Sequence, residues 1–141
     1  MNIRVEQAIN ELDHKALPDV KAFHTSIASE TNPTILKIIG ILREHFEFTI
    51  KPESYWRIEH APKGHGWHVD TGTNNHMMWC QVGCSILLTS NEEFEGGETF
   101  YNKEEPVSIE RNKYDIVAHS SDEWHMVAPH TGNRVVLLLF I

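Results

Sequence analysis

The chain has 141 residues, and its 12 Lys plus Arg stand against 20 Asp plus Glu, a formal net charge of −8 with histidine neutral. That length suits a single domain able to bury roughly two-thirds of its unfolded surface without disulfides or a structural metal, and the acidic balance disfavours nucleic acid as a partner because it repels phosphate. The segment Met1-Asn2-Ile3-Arg4-Val5-Glu6-Gln7 lacks the apolar stretch of a secretory signal and the longest apolar run is Val135 to Ile141, so the expectation is a cytoplasmic protein with no membrane span.

Val5, Ala8, Ile9 and Leu12 outline a first helix that should stop before Pro18, and residues 20 to 28 a second, short one. Thr31-Asn32-Pro33 supplies a cap followed by proline at a first helical position. Ile35, Ile38, Ile39, Leu42 and Phe46 then form one apolar stripe, which predicts a helix over 33 to 46. His14, His24 and His45 read as solvated surface groups of this polar region. Near residue 50 the periodicity changes from helical spacing to alternation. Strand-like segments follow at Tyr55 to Glu59, Trp79 to Thr89, Glu98 to Tyr101, Tyr114 to Ala118, Trp124 to Ala128 and Arg134 to Ile141, separated by turn signals.

The layout predicts one domain over 1–141, mainly β with N-terminal helices (α+β). Residues 1–50 would be helical support, and 51–141 a β-sandwich or jelly-roll core backed by those helices. Within 79 to 89 one strand face carries Gln81, Gly83, Ser85, Leu87 and Thr89, and the other Cys80, Val82, Cys84, Ile86 and Leu88. The apolar face should meet the helices. The polar face fits either the interior of the roll or solvent. Four strand residues put Cys80 and Cys84, the two cysteines present, about 13 Å apart, beyond bridging distance, so both read as reduced thiols.

His68 and Asp70 stand two residues apart, so in an extended strand the imidazole and carboxylate project to one side. A further histidine from a distant strand would complete a 2-His-1-carboxylate face with open coordination positions, the arrangement of a mononuclear iron site; a hydrogen-bonded surface pair explains the same string. Flanking turns at Pro62 to Gly66 and a loop at Thr71 to Asn75 are frequent settings for chemistry. Phe94-Glu95-Gly96-Gly97-Glu98-Thr99 holds a double-glycine turn. His125-x-Val127-x-Pro129 leads to Thr131-Gly132-Asn133 and then to Arg134, at the start of an apolar strand. That arginine must either snorkel to solvent or meet an anion, which its forked guanidinium would grip at two points.

In order and spacing, His68-Val69-Asp70, Phe94 to Thr99, and His125-x-Val127-x-Pro129 running through Gly132-x-Arg134 resemble the 2-oxoglutarate and Fe(II)-dependent dioxygenase superfamily, most closely its prolyl 4-hydroxylase-like branch. The resemblance covers about residues 55 to 141. It implies a double-stranded β-helix, with His68, Asp70 and His125 as the metal ligands and catalytic centre and with Arg134 binding the distal carboxylate of 2-oxoglutarate. It also implies Fe(II) and 2-oxoglutarate as cofactor and co-substrate, ascorbate as a candidate reductant, and oxidative decarboxylation to succinate coupled to hydroxylation by dioxygen. Where relatives often carry tyrosines that hold the co-substrate, this sequence has His60 and Thr89, and Ser85 stands near a usual threonine. No substrate-recognition domain is expected beyond the last core strand, so the family's peptidyl-proline substrate is not carried over. A small-molecule or peptide substrate, including a free amino acid, is expected.

Trp67 and Trp124, each preceding an expected ligand, should point away from the metal and serve packing. His65, His76, His119 and His130 read as solvated loop histidines. A non-catalytic metal-binding jelly roll is the alternative reading, and a zinc hydrolase with the same three ligands a third, against which Arg134 argues.

Overall fold

Asn10 and Asn32 begin the two helices found among the described residues, because each side chain accepts a hydrogen bond from an otherwise unpaired first-turn N–H. The computed structural model describes residues 1–19, 24–71 and 76–141. The chain opens with strand β1 (Asn2–Val5), followed by helix α1 (Glu11–Lys15), strand β2 (Thr25–Ser26) and helix α2 (Pro33–Arg43). In α2 the expected stripe is buried, with Ile35, Ile38 and Leu42 at 0% exposure, each contributing roughly 1.5–3 kcal/mol. The helix ends before Phe46, as the Glu44 N–H bonds back to Ile41 and Leu42.

The helical N-terminal third requires correction. Ile3 and Val5 alternate, which suits a strand, and β1 takes them; the first helix is present but starts only at Glu11, stops before Pro18 as expected, and leaves Leu12, assigned to its apolar face, 75% exposed. Of the second expected helix, 20–23 lie outside the described residues and Thr25–Ser26 is strand. Among the described residues two short helices accompany what is otherwise an antiparallel β structure.

The strands that follow are β3 (Tyr55–Glu59), β4 (His65–His68), β5 (Val82–Leu87), β6 (Phe94–Gly96), β7 (Thr99–Tyr101), β8 (Val107–Ile109), β9 (Ile116–Ser120), β10 (His125–Val127), β11 (His130–Gly132) and β12 (Val136–Phe140). A six-stranded sheet has the order β1-β9-β5-β12-β3-β2, a four-stranded sheet β4-β10-β7-β8, and β11 pairs with β6. Val82, Cys84, Ile86 and Leu88 share one buried cluster with Ile35, Ile38, Ile39 and Leu42 of α2. Ser85, on the opposite face of β5, lines an internal cavity. The polar face of β5 therefore looks inward, as one of its two readings has it.

Cys80 and Cys84 are free and buried, and burial pushes both thiols up to about 12. Among the described residues no helix is long and apolar enough to cross a membrane.

Candidate metal centre and anion pocket

His68 ends β4 and His125 begins β10, and the antiparallel register sets the two opposite each other. Asp70 lies just beyond β4, where its N–H donates to Ser121 O at 3.0 Å. One donor atom from each of His68, Asp70 and His125 falls within 4.8 Å of the others. His125 Nε2 is 3.4 Å and His68 Nε2 3.9 Å from Asp70 Oδ1. Three donors facing one ion at about 2.1 Å each stand about 3 Å apart, so side-chain adjustment suffices to close them on a metal.

The imidazole tautomers suit that role. Nδ1–H of His68 donates to Gly66 O at 2.6 Å, and Nδ1–H of His125 to Glu123 O at 2.9 Å. Each bond leaves the Nε2 lone pair directed at the carboxylate. Burial lowers the His68 pKa, which favours the neutral ligand form. Burial raises the Asp70 carboxyl, but hydrogen bonds and charge from His119 and His125 outweigh it and hold the group below the usual carboxylate range.

His119 was expected in solvent and is instead buried on β9. Its Nε2–H donates to Asp70 Oδ2 at 2.6 Å and its Nδ1 accepts from the Tyr101 hydroxyl at 2.8 Å. One carboxylate oxygen is thereby occupied and the other left for a metal. Gly83 on β5 makes this possible, since a Cβ there would stand 2.2 Å from Asp70 Oδ2 and 2.6 Å from His119 Nε2.

Arg134 is 6% exposed and does not snorkel. With Val136, Leu138 and Phe140 it lines the same cavity as His68 and His125, the two-residue period putting all four side chains on one strand face. The double-glycine turn seats it: a Cβ on Gly97, whose φ is +73°, would stand 2.5 Å from Arg134 Cδ and Nε. Of the three positions named as secondary contacts, Ser85 reaches the cavity. Thr89 Oγ1 accepts from Val135 N at 3.2 Å and exposed His60 bonds Gly132 O at 3.2 Å, so both are committed elsewhere. Sequence reasoning also missed Arg111, which lines the cavity and donates through Nη2 to Ser85 O and Oγ at 3.0 and 3.1 Å.

Other histidine and tryptophan assignments change. His130 is buried rather than solvated. His65 is exposed as expected, but stands on β4 rather than in a loop, where it also lines the cavity and bonds Glu59 at 3.2 Å. Trp124 is 45% exposed with Lys103 Nζ 4.3 Å from its ring centre, a surface cation–π contact in place of core packing.

No protein-family model and no curated protein matches this sequence. Solved structures do. A 2OG-Fe(II) oxygenase-family oxidoreductase from Burkholderia pseudomallei aligns over 99% of this chain and 82% of its own, with TM-score 0.61 and 15% identity. The viral collagen prolyl hydroxylase of Paramecium Bursaria Chlorella virus-1, solved as a 2OG complex, aligns over 99% and 94%, with TM-score 0.64 and 11% identity. A Pseudomonas putida prolyl-4-hydroxylase aligns over 75% and 58%, with TM-score 0.52 and 18% identity. At such identities the likeness is one of fold: this chain has the fold of the 2-oxoglutarate/Fe(II) oxygenases, with prolyl 4-hydroxylases among its structural neighbours.

Proposed function

We propose that this chain is a non-haem Fe(II)- and 2-oxoglutarate-dependent dioxygenase, a single cytoplasmic domain over 1–141 whose residues 51–141 form a double-stranded β-helix. One observation carries the reading: donor atoms of His68, Asp70 and His125 converge beside a cavity that also holds a buried arginine with no carboxylate in ion-pair range among the described residues. A metal-bound water for hydrolysis needs no such cation. Two buried free thiols suit a reducing compartment.

Fe(II) held by His68, Asp70 and His125 would supply the redox chemistry that converts 2-oxoglutarate, dioxygen and a C–H bond into succinate, carbon dioxide and an alcohol. The chain's own residues bind and orient. Gly66 O and Glu123 O fix the two imidazoles, and His119 holds the carboxylate by one oxygen. Arg134 grips the remote carboxylate of the co-substrate, and Val127, Val136 and Leu138 keep water from the cavity. The substrate is a small molecule or a peptide.

Protein supplied with Fe(II), 2-oxoglutarate and ascorbate in air should form succinate even without its prime substrate. Alanine at His68, Asp70 or His125 should abolish this and lower bound metal more than about 100-fold, with the circular dichroism spectrum kept. Metal retained by the native protein without any succinate would favour the non-catalytic metal-binding jelly roll, and full activity in any of the three variants would overturn the ligand assignment.

A further inference from the structure

The cavity beside the metal ligands is lined by two guanidiniums, because Arg111 joins Arg134 and both also border the groove that holds Thr99. Neither arginine has a carboxylate oxygen within ion-pair distance among the described residues. The arginine ion pairs among the described residues are those of Arg4 and Arg57. Glu59 and Glu98, whose charges act on Arg134, stand beyond ion-pair distance; Glu98 is exposed, and Glu59 is already bonded to Arg57 at 2.8 Å and His65 at 3.2 Å. Arg111 Nε and Thr99 Oγ1 are sealed from solvent, with no hydrogen-bond partner among the described residues. Burial, followed by the neighbouring charge of Arg134, lowers the Arg111 pKa to about 10.

Two like charges lining one cavity, with an orphaned donor on Arg111 beside an orphaned hydroxyl, are costly to keep out of water unless an anion joins them. A carboxylate is well matched, since its two oxygens offer about four acceptor sites, enough for two guanidiniums and a hydroxyl. The neutral ends of other ligands lack that capacity.

We propose that Arg111 and Thr99 complete, with Arg134, a two-guanidinium pocket for the remote carboxylate of a dicarboxylic 2-oxo acid. Arg111 is then a second binding residue supplied from the β8–β9 connection and braced on Ser85. The inference rests on the proposed oxygenase reading and deepens it: selection among 2-oxo acids is made by the ionised far end of the co-substrate.

Calorimetric titration of Mn(II)-loaded protein, in which no turnover occurs, tests this with 2-oxoglutarate, glutarate and 2-oxopentanoate. The native protein should prefer 2-oxoglutarate to 2-oxopentanoate by about 100-fold or more. Arg111→Met should weaken both diacids by about 10- to 100-fold and leave 2-oxopentanoate unchanged. Thr99→Val, which keeps the side-chain shape, should weaken the diacids by about 3- to 10-fold. Should Arg111→Met fail to fold because Ser85 loses its brace, Thr99→Val and Arg111→Lys carry the test, the lysine variant binding between the other two. If the Arg111 and Thr99 variants bind diacids as the native protein does while Arg134→Met does not, Arg134 is the whole clamp and this inference falls alone. If the native protein binds no diacid in any metal state, the oxygenase reading falls with it.

Discussion

At the His68–Asp70–His125 end of the cavity the atoms turned away from the centre are already satisfied, two imidazoles by backbone carbonyls and one carboxylate oxygen by His119. At the Arg111–Arg134 end a guanidinium nitrogen and a threonine hydroxyl have no partner among the described residues, and two guanidiniums line one cavity with no carboxylate in ion-pair range among those residues. The first region is held in shape by the protein alone. On the proposed reading, the second is completed by a ligand. A single fold thus combines a preorganised site and one that stores unfavourable charge, and the two should respond differently to small changes in the sheets that carry them.

A methyl group at Gly83 should have the largest effect, and only on the preorganised end. Its Cβ would stand 2.2 Å from Asp70 Oδ2 and 2.6 Å from His119 Nε2, so the carboxylate must move and lose its orienting bond. Gly83→Ala should lower metal affinity by about 10- to 100-fold, the range found when a partner orienting a ligand is lost. A competition titration with a chromogenic chelator measures it. Native affinity in this variant would mean that His119 does not orient Asp70 for the metal.

Gly97→Ala is the matched change at the other end, with a smaller expected effect. Its Cβ would meet Arg134 Cδ and Nε at 2.5 Å on a backbone with φ +73°, a conformation that alanine adopts only with strain. The Michaelis constant for 2-oxoglutarate should rise by about 10-fold, and metal affinity should stay as in the native protein. Arg134→Lys should act in the same direction, since an ammonium replaces a fork by a point charge. A loss of metal affinity in Gly97→Ala equal to that in Gly83→Ala would erase the distinction between the two regions.

The contrast also explains what could be read before the fold was known. His68, Asp70, His125 and Arg134 were legible because their residue types and spacing are unusual beside apolar strands, and the six strand-like segments because each alternates or runs apolar between turn signals. The strands β6 and β11 were not: each has three residues, as β7 and β10 do, but contains glycine, which locally resembles a turn. The strand β1 was hidden because Val5 also falls in step with Ala8, Ile9 and Leu12 at helical spacing. His119 left a faint signal in the alternation of Ile116 and Ala118 with Val117 and His119, the latter two facing the cavity, but the Ser120-Ser121-Asp122 turn beside it suggested solvent. Arg111 left none. Between Glu110 and Asn112-Lys113 it has the sequence surroundings of a surface loop, and only the path of the chain between β8 and β9 carries it inward.

The smallest expected effect separates an ion-paired arginine from one with no ion-pair partner among the described residues, through stability alone. Arg4 Nη2 lies 2.9 Å from Asp115 Oδ2, and Asp115, 1% exposed, also accepts from the N–H groups of Gln7 and Asn112 at 2.8 and 2.7 Å. Burial raises the Asp115 carboxyl, but these bonds together with Arg4 prevail and hold it below its ordinary range. A depressed carboxyl pKa stabilises the fold above the unfolded value, near 3.9, and the contribution fades as pH falls through the lower folded value. Arg4→Met should therefore lower the melting temperature at neutral pH, by less as the solution is acidified through that window. Arg134→Met should do the opposite in ligand-free protein: removing a buried cation that lacks an ion-pair partner should stabilise by about 1 kcal/mol, and the gain should persist in acid because no paired carboxylate is lost with it. Added 2-oxoglutarate should then raise the melting temperature of the native protein and not that of Arg134→Met. If Arg134→Met instead melts below the native protein without ligand, the arginine is already compensated within the fold and the stored-charge account of that end is wrong.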